Sequence, residues 1–217
     1  MDIQPETPWD STPDVSARIV TAIGRVATVL RAGMWEVSTA EGLNPAQAEI
    51  LHLLQHRTRG VRLSWLARQL SISAASASDS VAALVNKGLV RKARDEDDGR
   101  ASALHLTPDG ERVAQRLGHA LAFADNAASQ LPAGQQVQLL TGLFKLIAQL
   151  QKTDRFPELR ACLSCCHFEA DKYPGAEVAH HCALVNAPLP ISFLRIDCAE
   201  HEPADPLVRQ RNWAGFA

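Results

Sequence analysis

The chain has 217 residues, with 22 Lys and Arg against 24 Asp and Glu, and 46% of its residues are hydrophobic. These values suit a globular protein of one or two domains and exclude wholesale disorder. No run of about 18 apolar residues is present to make a membrane helix, and the acidic, proline-bearing start lacks the basic-then-apolar order of a secretory signal. The expected location is the cytoplasm, with no membrane partner.

Charge and cysteine are unevenly distributed. Residues 43–107 hold nine basic and six acidic side chains, whereas residues 1–42 and 153–217 are each net acidic by three charges. Near-neutrality therefore conceals a basic segment, of the kind that meets nucleic acid. All five cysteines lie between Cys162 and Cys198.

Residues 1–14 read as a loose leader. From Val15, apolar residues recur at helical steps (Ile19, Ile23, Val26, Leu30, Met34), which predicts a helix to about Ala40, closed by Gly42. Asn44, Pro45 and Gln47 carry the marks of a capped helix start, and Ile50, Leu51, Leu53 and Leu54 supply its apolar side. A short helix is predicted over Leu63–Leu70, a tight turn at Ser71-Ile72, and a helix over Ser73–Lys87 that Gly88 ends. Two strands follow, Leu89–Lys92 and Ser102–Leu106, around an Asp98-Gly99 turn signal. Thr107-Pro108-Asp109 starts a helix expected to reach Gln130. Pro132 breaks it, and a last helix covers about Gly134–Lys152.

This order of elements predicts a mainly α fold with a small β-wing: a winged helix-turn-helix flanked by long helices. The long helices carry more apolar surface than one small domain buries, so they are expected to form a dimer. The organisation expected is a leader (1–14), the winged helix and its long helices (15–152), a cysteine-rich extension (153–206) and a closing tail (207–217).

In a helix-turn-helix the second helix enters the major groove. Here that helix offers Ser73, Ser76, Ser78, Asp79 and Ser80, with its first basic residue at Lys87. Hydroxyls contact phosphates and several base edges, so they specify sequence weakly. Asp79 is read either as a partner of a cytosine amino group or as a structural ion-pair acceptor. Positive charge gathers at the wing, in Arg91, Lys92, Arg94 and Arg100, where Arg100 can enter the minor groove and Asp98 can hold it in place.

Leu66-Ala67 to Leu70, Ser73 to Leu84, Lys87-Gly88-Leu89-Val90, Asp98-Gly99-Arg100 and Leu106-Thr107-Pro108-Asp109-Gly110 together resemble the multiple antibiotic resistance regulator (MarR) family over about residues 15–152. The resemblance implies a homodimer on a double-stranded, pseudo-palindromic DNA operator, acting as a repressor released by a small molecule or oxidant, and not an enzyme. It implies a minor-groove role for Arg100 with Asp98 positioning it, and an effector pocket between dimer helices and winged helix that Arg31, Trp35, His52 and Trp65 could line. The family often has an arginine on the recognition helix, where this sequence has Asp79.

The extension reads Cys162-x2-Cys165-Cys166-His167, then His180-His181-Cys182, then Cys198-x2-His201. A Cys-x-x-Cys turn chelates one metal centre, and two later cysteines can close it, giving Cys162, Cys165, Cys182 and Cys198 as ligands and Cys166 as the spare. An iron–sulfur cluster, such as [4Fe-4S], is the preferred occupant. A structural zinc, with a histidine completing the site, is the alternative, and a constitutive disulfide framework suits a reducing cytosol poorly. The leading functional expectation is a regulator that senses redox state, oxygen or iron. The alternatives are a regulator answering an organic effector with structural zinc in its tail, and an iron–sulfur redox protein. No catalytic constellation or phosphate-binding loop supports the last of these.

Overall fold

The computed structural model describes Trp9 and residues 11–55, 57, 59–95, 101–153, 157 and 159–216. The apolar repeat from Val15 forms α1 (Val15–Ala40), and Gly42, in the left-handed region at φ 66°, turns the chain after it. Asn44 and Gln47 close a reciprocal capping box at the start of α2 (Pro45–Leu54). The Asn44 side chain accepts the Gln47 N–H at 2.9 Å, and the Gln47 side chain accepts the Asn44 N–H at 3.4 Å.

α3 (Leu63–Gln69) and α4 (Ala74–Asn86) form the helix-turn-helix. Gly88, at φ 71°, reverses the chain into the wing. The wing strands β1 (Val90–Arg94) and β2 (Ser102–Leu106) pair antiparallel from Val90↔Leu106 to Arg94↔Ser102. Residues 96–100, and with them the expectations placed on Asp98 and Arg100, lie outside the described residues. Val61 bridges Leu104 from the other side of β2. Ala103 and Leu104, neighbours on that strand, are both buried.

The single helix expected to reach Gln130 is two helices, α5 (Pro108–His119) and α6 (Ala122–Ser129). The chain tightens at Ala120 and Leu121, whose N–H groups donate to Leu117 and Gly118 three residues back. The break brings Phe123 and the Ala120 carbonyl against Gly33 of α1, where an added Cβ would sit 2.7 Å from the ring and 3.2 Å from the oxygen. α7 (Ala133–Gln151) follows Pro132.

The extension holds more regular structure than its sequence suggests. A 3-10 turn (Cys162–Ser164) leads to β3 (Phe168–Glu169), β4 (His180–Cys182) and β5 (Ala187–Leu189), an antiparallel sheet in the order β3-β4-β5. A second 3-10 turn (Ile191–Phe193) precedes α8 (Pro206–Phe216). α8 docks back, with Asn212 and Trp213 buried.

Two cores result. The first gathers Ile50, Leu51, Leu66, Leu84, Leu104 and Leu117 beneath the helix-turn-helix and wing. The second seats the extension on α7, with Phe144 and Ala148 meeting Leu163, Phe168, Leu194 and Trp213. α1 buries only Ser38 among the described residues, and Val15, Ile19, Val20, Val26 and Val29 are exposed in the single chain.

Gly110 marks the tightest backbone approach around the wing. Thr107 caps α5 by accepting the Gly110 N–H at 3.0 Å, and its hydroxyl donates to the Gly88 carbonyl at 2.6 Å. A Cβ on Gly110 would lie 2.0 Å from the Leu89 carbonyl oxygen. Gly110→Ala must push α5 off the wing, with an expected loss of about 1–3 kcal/mol in urea unfolding. Gly134→Ala has nothing within 4 Å of the added carbon and is expected to leave stability unchanged or slightly raised.

Candidate nucleic-acid interface and cysteine centre

The exposed face of α4 opens with its own cap. The Ser73 hydroxyl accepts the Ser76 N–H at 3.1 Å and lies 2.9 Å from the Ser76 hydroxyl. Ser76, Ser78 and Asp79 are exposed and Ser80 is half-buried, while Ala77, Val81 and Leu84 face the core. Ser78 shares a small cavity with Lys92 and Ser102, so α4 and the wing strands meet at one surface. Lys92 and Arg94 are exposed on it. Asp95 is held at 2.8 Å by Arg62, the residue just before α3, which braces the wing against the helix-turn-helix.

Lys87 stands apart from this surface. Its ammonium donates to the Gly42 carbonyl at 2.6 Å and to the Gln47 side chain at 3.1 Å. Lys87, which the sequence suggests for DNA, also ties the end of α4 to the α1–α2 turn, and no local pattern marks that long-range bond.

A second feature is a cavity of about 800 Å³ lined by Arg31, Trp35, Ser38, His52 and Leu121 among others. Three of the four residues expected to line an effector pocket therefore meet there. The fourth, Trp65, lies elsewhere, with the Arg57 guanidinium 4.2 Å above its ring centre.

The cysteine centre is built from segments distant in sequence. Cys165 N–H closes the 3-10 turn by donating to the Cys162 carbonyl at 3.0 Å. Cys165 bridges Pro203, and the Cys166 N–H donates to the Glu202 carbonyl at 2.9 Å. Cys182 ends β4, opposite Phe168 and Ala187. Cys198 is anchored by its N–H to the Arg160 carbonyl at 3.1 Å. The Arg195 N–H donates to the Cys162 sulfur at 3.3 Å, and its guanidinium reaches the Cys198 sulfur at 3.7 Å. Cys162, Cys182 and Cys198 line one cleft of about 560 Å³, walled by Leu184, Pro188 and Phe193.

Burial pushes the Cys162 thiol pKa up, the Arg195 N–H opposes this, and neighbouring Cys198, Cys165 and Cys182 raise it further. Three other cysteines thus lie within electrostatic reach of Cys162. A bound cation reverses that balance and favours thiolates.

Among the described residues, the group whose ligand atoms all lie within 4.8 Å is Cys165, Cys166 and His167. The Nε2 atom of His167 is buried without a hydrogen-bond partner and lies 4.0 Å from Glu202. This group could hold a metal. It includes Cys166, which the sequence suggests as the spare.

Residues 43–110 match the model of a winged helix DNA-binding domain. Among solved structures, a MarR-family transcriptional regulator from Silicibacter pomeroyi is 26% identical, with 59% of this chain and 87% of that chain covered and a TM-score of 0.52. A MarR transcriptional regulator from Methanosarcina mazei Go1 is 20% identical over 63% of this chain and 99% of its own, with a TM-score of 0.54. CouR from Rhodococcus jostii RHA1, bound to p-coumaroyl-CoA, is 19% identical over 62% and 95%, with a TM-score of 0.53. Each leaves more than a third of this chain unmatched. No curated protein matches the chain.

Proposed function

We propose that this chain, a winged helix DNA-binding domain set in the fold of the MarR-family transcriptional regulators, is a homodimeric repressor whose cysteine extension holds a metal centre and makes operator binding depend on redox state or iron. The observation that carries DNA binding is the cavity that Ser78 of α4 shares with Lys92 of β1, with Ser76, Asp79 and Arg94 exposed on the same two elements. The hydroxyls and Asp79 suit base edges, and the basic strand suits phosphates. Asp98 and Arg100 belong to the same proposal as the minor-groove pair. Dimerisation is supported by the apolar stripe of α1, an unburied surface of the kind that marks interfaces.

For the centre, Cys162, Cys165, Cys182 and Cys198 are the proposed ligands of an iron–sulfur cluster. A single tetrahedral zinc with bonds of about 2.3 Å draws its sulfurs close together, whereas a cluster holds them farther apart, and the quartet is spread more widely than the Cys165–Cys166–His167 group. When bound, the cluster supplies one-electron chemistry. The chain's own part is to donate the Arg195 N–H to one sulfur and to shield the site with the apolar cleft walls. Metal analysis and absorption spectra of anaerobically purified protein test this reading. One zinc per chain and no iron would overturn the cluster.

The cavity around Arg31, Trp35 and His52 favours a second reading, in which a small organic anion is the effector and the tail metal is structural. Oxidation would then leave operator affinity unchanged, and ligand addition would lower it.

A direct check of the DNA surface uses Lys92→Ala and Arg94→Ala. Each is expected to weaken binding to DNA spanning the promoter of the chain's own gene and to reduce the slope of log affinity against log salt by about 1. Lys87→Ala is expected to leave that slope unchanged, because its ammonium is bonded to the α1–α2 turn.

A further inference from the structure

Arg57 lies between α2 and α3, and its side chain is only 10% exposed. Three groups surround its guanidinium. The Trp65 ring of α3 lies under it at 4.2 Å, and the Leu53 carbonyl of α2 accepts from its Nε. Asp197 of the extension, next to Cys198, meets it at 3.5 Å. Only a planar cation can stack on a ring and donate in two further directions at once, so lysine would not replace it. Burial lowers the Arg57 pKa to about 10 and Asp197 counters that effect, so the guanidinium remains a charged, largely desolvated group.

Arg57 also borders a cavity of about 570 Å³ shared with Arg91, His105, Glu111 and Arg112. Glu111 supplies a carboxylate on that wall, alongside the cations Arg91 and Arg112. Trp65 sits three residues after Arg62, whose ion pair with Asp95 braces the wing. The Trp65 N–H donates to the Arg62 carbonyl at 3.1 Å, which links it to that brace.

We propose that Arg57 is the positioning residue through which the state of the cysteine centre reaches the helix-turn-helix. With the Cys198 loop in place, Asp197 keeps the guanidinium on Trp65 and fixes α3. When that loop loosens, Arg57 turns into the cavity toward Glu111 and α3 loses its support. This is a two-position element biased from the extension. It rests on the reading that the cysteines hold a metal centre controlling DNA affinity.

The test is Asp197→Asn in the full chain, since Asp197 is more than half exposed. Affinity for DNA spanning the promoter of its own gene is measured for metal-loaded and chelator-stripped protein, alongside metal content and amide exchange over residues 63–70. Wild type is expected to show a loaded-to-stripped affinity ratio of about tenfold. In Asp197→Asn this ratio falls below about twofold, with metal content unchanged and faster exchange over 63–70 while loaded. A variant that keeps both the wild-type ratio and wild-type exchange overturns the proposal and leaves the sensing reading standing. A wild type with no ratio overturns the sensing reading, and exchange over 63–70 then still decides whether Asp197 supports α3. If Asp197→Asn loses metal, Arg57→Lys replaces it: a collapsed ratio with metal retained supports the role of Arg57, and an unchanged ratio overturns it.

Discussion

Cys162→Ser is expected to empty the proposed metal centre and unfold the extension, while the winged helix keeps its own cooperative transition. Cys162 opens the 3-10 turn, accepts the Arg195 N–H through its sulfur and faces three other cysteines. A serine oxygen keeps the hydrogen bond but not the soft donor that iron or zinc selects. Small metal sites supply folding free energy of about 10–16 kcal/mol when zinc fills them, so losing one ligand is expected to release the whole segment. The expected result is metal content below about a tenth of wild type, with fast amide exchange over 159–204 and protection retained over 43–95. Cys166→Ser separates the two candidate ligand sets. Retained metal supports the quartet of Cys162, Cys165, Cys182 and Cys198, and equal loss moves the centre to Cys165, Cys166 and His167. Wild-type metal content in Cys162→Ser would remove that cysteine from the site.

Phe144→Ala has the second largest expected effect. Phe144 is fully buried on α7, with its ring centre 6.1 Å from Trp213 and 5.7 Å from Phe216. Truncating a buried phenylalanine typically costs about 3–5 kcal/mol, from lost burial plus the cavity left behind. Because the ring belongs to the second core, the loss should fall on the extension. Denaturation followed by Trp213 fluorescence, in a background with Trp9, Trp35 and Trp65 replaced by Phe, should show an earlier transition. Circular dichroism of the winged helix should shift little. Coincident shifts in both signals would mean that the two cores unfold as one unit.

The sequence marks helix starts where a cap and a proline stand together. Asn44-Pro45 and Thr107-Pro108 identify α2 and α5, and both caps form as their residue types suggest. Asp205-Pro206 carries the same signal for α8, where the Asp205 carboxylate accepts the Leu207 N–H at 2.9 Å. That helix is hard to see because it lacks an apolar repeat and buries only Asn212 and Trp213. The division of α5 from α6 has no glycine or proline at Ala120-Leu121 to announce it. Contact with Gly33, far back in α1, locates it. The contacts of Arg57 and Lys87 escape the sequence for the same reason, since their partners, Asp197 and Gly42, are remote in sequence. The basic wing and the cysteine cluster are legible as composition. The close grouping of Cys165, Cys166 and His167 lies beside backbone ties such as Cys166 to Glu202, which spacing does not reveal.

The ties within the extension run backward along the chain. Asn212 donates to the Leu163 carbonyl, Trp213 to the Ser164 hydroxyl and Ala204 to the Ser164 carbonyl. During synthesis, the segment carrying Cys162 and Cys165 must wait for residues 204–213 before it can close. The winged helix core uses residues 43–117 and is complete much earlier. Each new molecule therefore passes through a stage in which the DNA-reading unit exists before its cysteine extension does. A ribosome halted before Asn212 would leave a folded winged helix with its extension unfinished.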